Sequence, residues 1–411
     1  MYTNLYAFTL GREWKLSLAE LFALFGEKSY HSHSETIAIF SIPLEEKQII
    51  AQFRNIWGSI RVMKVMRESD LKRFPTDVIE IIGKPEGKYH FALGVYGENF
   101  EQSHVWLRIK KTLSEKWISA RLINNENKNI NAAAWKNEKL GKSQSEFNLI
   151  KIEGNAYLTI TLACQDIDAY AKRDTEKSRD MVVGMMPPKL CQMMINIASE
   201  NGMSGIYDPF CGLGTFLIEG ANMGYKKLSG SDISPRMVDA TKSSLENFIR
   251  EETVWQDRIR KVGGTPAKDF RDLDISVFEQ DAEHIENITH PESLDHTNIV
   301  SEGYLGDIMS SRDISLDRIK GERKKLSKIY EGYFLGLKKK KFRGNIVMSF
   351  PFWSINEEFT YFSEIYEIIE KSGFMITPLL PSHMKLNTMK WSLLYRRSSQ
   401  TVGREILKIS L

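Results

Sequence analysis

The segment GIYDPFCGLGTFLIEGA, residues 205–221, narrows the possible folds more than any other stretch of this chain. An apolar run ends at Tyr207, a carboxylate follows at Asp208, glycines stand at Gly212 and Gly214, and a helical pattern opens near Thr215. A strand that turns through glycines into a helix sets free N–H groups beside backbone lacking a Cβ, so an anionic group can lie against the main chain there. The segments LSGSDI, MVDATKSSLENFI and ISVFEQDA then continue the alternation of strand and helix expected of a doubly wound parallel sheet. A dinucleotide fingerprint would need a third glycine where Leu217 stands, and the P-loop lysine pattern is absent from this loop, so nicotinamide dehydrogenases and nucleotide triphosphatases are disfavoured.

Two more acids extend the pattern. Asp232 closes the next strand, where a carboxylate can accept hydrogen bonds from both hydroxyls of a ribose, and Asp281 closes the third, where it could meet an adenine amino group. Any one of them could instead cap the element that follows. As an ordered series, the three describe a site shaped for a nucleoside.

The rest of the chain is ordinary for a folded protein of two or three domains. It has 411 residues, with 56 Lys+Arg against 53 Asp+Glu for a net charge of +3, and only Cys164, Cys191 and Cys211. This excludes a disulfide scaffold and a histone-like polycation, and the scattered thiols suit a reducing, cytoplasmic setting. No stretch approaches the length of uncharged apolar sequence that a membrane span needs. A polar stretch around Tyr170 marks the expected boundary between regions 1–172 and 173–411. The first region mixes short strands and helices in an α+β pattern, with a hairpin turn at Glu153-Gly154-Asn155 and a helix expected from Leu18 behind the capping-box pattern Ser17 to Glu20. Its largest basic excess includes Arg108, Lys110, Lys111, Lys116 and Arg121, which would suit a nucleic-acid face or simply a solvated helix. Residues 250–274 are read as an insertion carrying a helix and a Gly263-Gly264 turn, and Phe350, Phe352 and Trp353 as core.

DPFCGLGT, GSDISPRMV and EQDA resemble motifs I, II and III of class I S-adenosylmethionine-dependent methyltransferases, in the branch that modifies RNA bases. LGREWKLSLAELFALF, TLACQDIDAYAKRD, RDMVVGMMPPKLCQMMINIA and LLYRRSSQTVGREI are similar to THUMP-domain tRNA guanosine N(2)-methyltransferases of the guanine-10 type, across nearly the whole chain. The resemblance implies a Rossmann-like seven-stranded sheet whose final strand, near Trp391 to Tyr395, runs antiparallel, preceded by an α+β THUMP-like RNA-binding domain for the tRNA acceptor stem. It further implies that Asp208, Phe210, Gly212, Gly214 and Thr215 cradle the methionine end of S-adenosylmethionine. Asp232 and Ile233 would hold the ribose and adenine, with Asp281 and Ala282 lining the adenine pocket.

Relatives grip the reacting amine with an Asp/Asn-Pro-Pro-aromatic tetrapeptide at the end of the fourth strand. Here that place reads Ser301-Glu302-Gly303-Tyr304, without prolines. Glu302 and Tyr304 are the expected catalytic residues, with Ser301 assisting and no metal involved. Arg179 and Asp180 would either close over the cofactor or pair at the junction. The implied activity is methylation of a guanosine exocyclic amine in tRNA, with Arg108, Lys110, Lys111 and Arg121 as RNA contacts and the need for a small activating protein partner left open. The rival readings are a non-catalytic RNA-binding protein that retains the fold, and methylation of an adenine amino group in RNA or DNA.

Overall fold

A computed structural model describes residues 4–85, 87–97, 105–124, 129–138, 140–141, 145–165, 186–199, 202–261, 268–310, 312–398 and 400–411. The chain divides into two compact units, Met1–Glu176 and Lys177–Leu411. Arg179, Asp180 and the Gly263-Gly264 turn lie outside the described residues.

The first unit is built on an eight-stranded sheet. Its strands are β1 (Asn4–Leu10), β2 (Tyr30–His33), β3 (Ile37–Ile42), β4 (Ser59–Glu68), β5 (Tyr89–Gly97), β6 (Ala120–Leu122), β7 (Ser145–Ile152) and β8 (Asn155–Cys164), in the order β2-β3-β1-β4-β8-β7-β5-β6. The pairings are antiparallel except those of β5 with β6 and with β7. β7 and β8 form the expected hairpin, and Glu153 and Gly154 turn it with φ of 51° and 80°, the left-handed pair that a tight two-residue hairpin requires.

The first helix departs from expectation. It spans Trp14–Phe25 and therefore starts upstream of Leu18. Ser17 lies inside it, with its hydroxyl donating to the Glu13 carbonyl at 3.2 Å. Glu20 is fully buried and accepts from the N–H groups of Trp57 and Gly58 at 3.0 and 2.7 Å. The apparent capping box is thus dissolved, with Ser17 bonded one turn back and Glu20 committed to a tertiary contact against which local capping could not compete. Leu18, Leu21 and Phe22 are buried as their helical spacing predicts. The basic helix Val105–Glu115 turns Ile109 and Leu113 into a core with Phe74, Phe91 and Phe147, and leaves Arg108, Lys110 and Lys111 exposed.

In the second unit the strands are β9 (Gly205–Asp208), β10 (Lys227–Asp232), β11 (Asp274–Glu279), β12 (Thr297–Ser301), β13 (Ile346–Ile355), β14 (Glu358–Tyr361), β15 (Met375–Thr377), β16 (Leu393–Tyr395) and β17 (Val402–Ser410). The main path runs β11-β10-β9-β12-β13-β17-β15. β9 to β13 are mutually parallel along this path, and β17 is antiparallel to both its neighbours. The order reverses beside β9, so the crevice outside the carboxyl ends of β9 and β12 is the topological switch point, where open α/β sheets take their ligands.

The expected antiparallel strand near Trp391 to Tyr395 is corrected by this topology. The long antiparallel strand is β17, and Leu393–Tyr395 forms only the short β16 laid along it. β17 reads VGREILKIS, whose charged residues disguise a strand that is buried at seven successive positions. Residues 250–261 also prove to continue the helix Pro235–Lys261 rather than to begin an insertion of their own. Phe350, Phe352 and Trp353 are fully buried, with Phe350 and Trp353 sharing a core with Tyr207, Tyr330 and Phe334. Among the described residues, no helix is long and apolar enough to cross a membrane.

Candidate active site

The glycine bend after β9 is fixed by its own backbone before any ligand is considered. Cys211 N–H donates to the Ser231 carbonyl at 2.9 Å, and Gly214 N–H donates to the Cys211 carbonyl at 2.7 Å. Gly212 and Gly214 have φ of 51° and 79°, where a side chain is strained, and a Cβ on Gly214 would sit 2.8 Å from Thr241 Cγ2. The Thr241 hydroxyl donates to the Gly212 carbonyl at 2.7 Å from the long helix that follows β10. The helix Thr215–Met223 then begins with Gly214 as its N-cap and no side-chain cap, and Thr215 is buried in its first turn. Its first N–H groups are left to the crevice or to water.

The three acids adopt one local arrangement. Asp208 Oδ1 accepts from Phe210 N–H at 3.1 Å, Asp232 Oδ1 from Ser234 N–H at 2.9 Å, and Asp281 Oδ1 from Glu283 N–H at 2.9 Å. Each carboxylate therefore caps the turn two residues on. Capping and ligand binding do not compete here, because an ionised carboxylate has about four acceptor sites and the cap uses one. Asp232 Oδ2 also accepts from Gly212 N–H at 3.1 Å, tying the ends of β9 and β10 together. Beyond it Ile233 is exposed at 64%, whereas Ala282 beyond Asp281 is buried. Phe210 is half-buried and its ring lies 5.8 Å from that of Tyr333.

Asp208 is strongly perturbed. Only 1% exposed, it is pushed up to about 7 by burial, with the nearby Asp232 and Glu302 carboxylates adding to the rise. Its hydrogen bonds from the Ser301 hydroxyl and from Phe210 N–H act the other way. The contact with Ser301 joins the ends of β9 and β12, so the glycine loop and the SEGY tetrapeptide form a single site.

Ser301 is fully buried, and its Oγ also accepts from Gly303 N–H at 3.0 Å, closing a turn in which Gly303 has φ of 66°. Glu302 is held by Arg404 on β17, whose Nε donates to Oε1 at 2.6 Å. Burial raises the Glu302 carboxyl, and the guanidinium opposes the rise. The carbonyls of Glu302 and Tyr304 are fixed by the Ser349 hydroxyl at 2.7 Å and the Tyr330 hydroxyl at 2.9 Å. Tyr304 itself is 36% exposed, with its phenol donating to Asp307 at 2.8 Å. Lys325 in turn pairs with both Asp307 and Glu322 at 2.9 Å. Burial, followed by this bond to Asp307, moves the phenol up to about 12, so it stays protonated. The ring is an open apolar face on a braced loop.

Sequence reasoning located the acids and the tetrapeptide but not Thr241, Tyr330, Ser349 or Arg404. Each reaches the site from a later element, and no local motif announces it. The four residues expected to contact RNA lie in the first unit. Arg108, Lys110, Lys111 and Arg121 are all exposed, with Arg108 donating to the Lys72 carbonyl at 3.4 Å and Lys111 lying 3.9 Å from Glu115. Loose pairs of this kind leave the charges available to a polyanion.

The chain is similar to several known proteins. The tRNA (guanine(10)-N2)-dimethyltransferase of Methanocaldococcus jannaschii is 30% identical over 138 residues, which is 31% of this chain and 38% of that protein. The enzyme of the same name from Methanothermobacter thermautotrophicus is 33% identical over 99 residues, 24% of this chain and 29% of that protein. This chain thus matches less than two fifths of the length of either relative. The crystal structure of TrmN from Thermus thermophilus aligns over 99% of this chain and 100% of its own, at 12% identity and a TM-score of 0.47. Residues 177–262, which include β9, the glycine loop, β10 and the helix after it, match UPF0020, the RMKL-like methyltransferase domain. Over that stretch the second unit is similar to this methyltransferase domain.

Proposed function

We propose that the chain is an S-adenosylmethionine-dependent RNA methyltransferase whose substrate is the exocyclic amine of a guanosine in tRNA. The observation that carries this reading is the Asp208–Ser301 contact, which places the acid of the glycine loop against the first residue of the acceptor tetrapeptide at the switch point. The donor set fits the cofactor. The bend after β9 offers uncapped helix N–H groups and no Cβ at Gly212 or Gly214, Asp208 supplies a buried acid for an ammonium group, and Asp232 keeps acceptor capacity for ribose hydroxyls. Exposed Ile233 and buried Ala282 provide apolar contacts for a purine.

When bound, S-adenosylmethionine supplies a sulfonium methyl group, and transfer forms the N–C bond as the S–C bond breaks, yielding S-adenosylhomocysteine and one proton. The residues of this chain contribute position and charge. A guanosine amine is a weak nucleophile because its lone pair is conjugated to the ring. The Glu302 carboxylate accepts one of its N–H bonds and so directs the lone pair, and it or solvent takes the proton released. Tyr304 offers its half-open ring for stacking with the base, which offsets part of the cost of about a few kcal/mol of unstacking it. The exposed cations Arg108, Lys110, Lys111 and Arg121 of the first unit contact tRNA phosphates, so RNA capture falls to that unit and transfer to the second. The matched relatives named tRNA (guanine(10)-N2)-dimethyltransferases support guanosine as the target base.

The test is incubation of the purified full-length chain with methyl-labelled cofactor and unmodified tRNA, followed by nucleoside mass spectrometry. N2-methylguanosine or its dimethyl form is the expected product. Label confined to adenosine would move the substrate assignment. S-adenosylhomocysteine binding without label in any RNA would replace the enzyme with an RNA-binding protein.

A further inference from the structure

We infer that Arg404 is a positioning residue for the transfer step, holding Glu302 so that one carboxylate oxygen is occupied by the guanidinium and the other is presented to the substrate amine. This rests on the function proposed above. Nε and Nη2 of Arg404 lie 2.6 and 2.5 Å from the same oxygen, Oε1, and among the described residues Oε2 receives no hydrogen bond. The Arg404 side chain is 6% exposed, while that of Glu302 keeps 20% of its surface open. The pair is therefore inaccessible on the arginine side and accessible on the carboxylate side.

The origin of the contact is topological. Arg404 stands on β17 opposite Pro351 of β13, and Glu302 directly follows β12. The antiparallel strand thus carries a cation across the middle of β13 to the tetrapeptide. A guanidinium in this place does two things that a neutral donor would not. It offsets the burial of Glu302, and its planar pair of N–H groups fixes which oxygen faces the amine. Among the described residues, the other titratable groups facing Glu302 are Asp208 on β9 and Tyr330 on the helix Leu316–Lys339. Asp208 disfavours a charged Glu302 and Tyr330 is a neutral phenol, so among the described residues Arg404 is the cation that favours ionisation.

The experiment follows Glu302 in the full-length chain by carboxyl carbon NMR, with its signal identified by loss in Glu302→Gln, alongside kcat, KM for tRNA and S-adenosylhomocysteine affinity. In Arg404→Gln the Glu302 midpoint is expected to rise by about one pH unit or more. The acidic limb of kcat should move with it, at unchanged S-adenosylhomocysteine affinity. Arg404→Lys, which retains the charge and guards against a folding defect in the first variant, should restore the midpoint but leave kcat reduced by about tenfold, because an ammonium cannot fix the carboxylate plane. The double variant Arg404→Gln/Glu302→Gln should be no slower than Glu302→Gln alone.

A midpoint unmoved in Arg404→Gln would overturn the assignment, as would a double variant slowed by a further factor of about ten or loss of kcat in step with S-adenosylhomocysteine affinity. If wild-type chain methylates no RNA, the proposed function fails. The NMR titration would then decide by itself whether Arg404 sets the state of Glu302.

Discussion

Replacing Asp208 by Asn should make the second unit more stable at neutral and alkaline pH and leave it nearly unchanged only in strong acid. The acid is 1% exposed, and its carboxyl is moved from 3.8 to about 7 in the folded chain, chiefly by burial. Below 3.8 the group is protonated whether the chain is folded or open, so it contributes no pH dependence. Between 3.8 and about 7 the open chain releases the proton while the folded chain retains it, and stability falls as pH rises. At about 1.36 kcal/mol per unit, a rise of roughly 3 units costs the wild type up to about 4 kcal/mol above pH 7. The amide introduced by Asp208→Asn cannot ionise and keeps an oxygen for the Phe210 N–H, so the variant's advantage over wild type should grow from about 1 kcal/mol at about pH 4.5 to about 4 kcal/mol at about pH 8. Urea unfolding of both proteins across that range measures the difference. Equal advantages at about pH 5 and pH 8 would refute the reasoning, because a neutral substitution that merely repacks the site has no pH slope. A second readout is independent of unfolding. An ammonium group beside Asp208 favours the ionised form, so S-adenosylhomocysteine binding at about pH 6.5 should release part of a proton, detected by calorimetry in buffers of different ionisation enthalpy. Asp208→Asn should abolish that release.

Asp232→Ala removes the acceptor for Gly212 N–H and Ser234 N–H as well as the proposed ribose acceptor, and should weaken S-adenosylhomocysteine binding by about tenfold to a hundredfold in calorimetry; an affinity within about twofold of wild type would remove it from the site. Gly214→Ala meets both a φ of 79° and Thr241 at 2.8 Å, whereas Gly224→Ala meets a φ of 96° with nothing within 4 Å. Thermal unfolding should therefore place Gly214→Ala below Gly224→Ala by more than about 1 kcal/mol, and equal losses would show that Thr241 yields freely. Replacing Lys110 and Lys111 together by Ala should weaken tRNA binding and flatten its dependence on salt by up to about two in the logarithmic slope; an unchanged slope would make this helix face ordinary surface.

The parts legible in the sequence share a physical cause. Tyr207, Leu228, Phe278 and Val300 are apolar because parallel strands are buried on both faces, and the polar residue that ends each run marks the carboxyl edge of the sheet. Asp208, Asp232, Asp281 and Ser301 could therefore be placed at that edge from the sequence pattern alone. β17 was not legible, because its buried charges are satisfied by residues distant in sequence. Arg404 meets Glu302, and Glu405 accepts from Tyr366 at 2.7 Å and Ser392 at 2.5 Å. A strand of this kind reads as surface until its partners are known. The start of the first helix was missed for a related reason, since the carboxylate of Glu20, which a local rule assigns to its own helix, is used by Trp57 and Gly58 instead. Local patterns predicted what local backbone needs, and failed where a polar side chain was committed across the fold.

The insertion of β17 between β13 and β15 also sets the range of the pairings that build the second unit. Along the sheet, β15 has β17 as its partner and no other described strand, so its register depends on β17. β9 and β10 pair residues 22 apart, Gly205 with Lys227, whereas β13 and β17 pair residues 49 to 63 apart, from Trp353 with Val402 to Ile346 with Ile409. The glycine bend thus joins two strands of short-range pairing, whereas Arg404 comes to the crevice on a strand whose pairing spans a much longer stretch of chain.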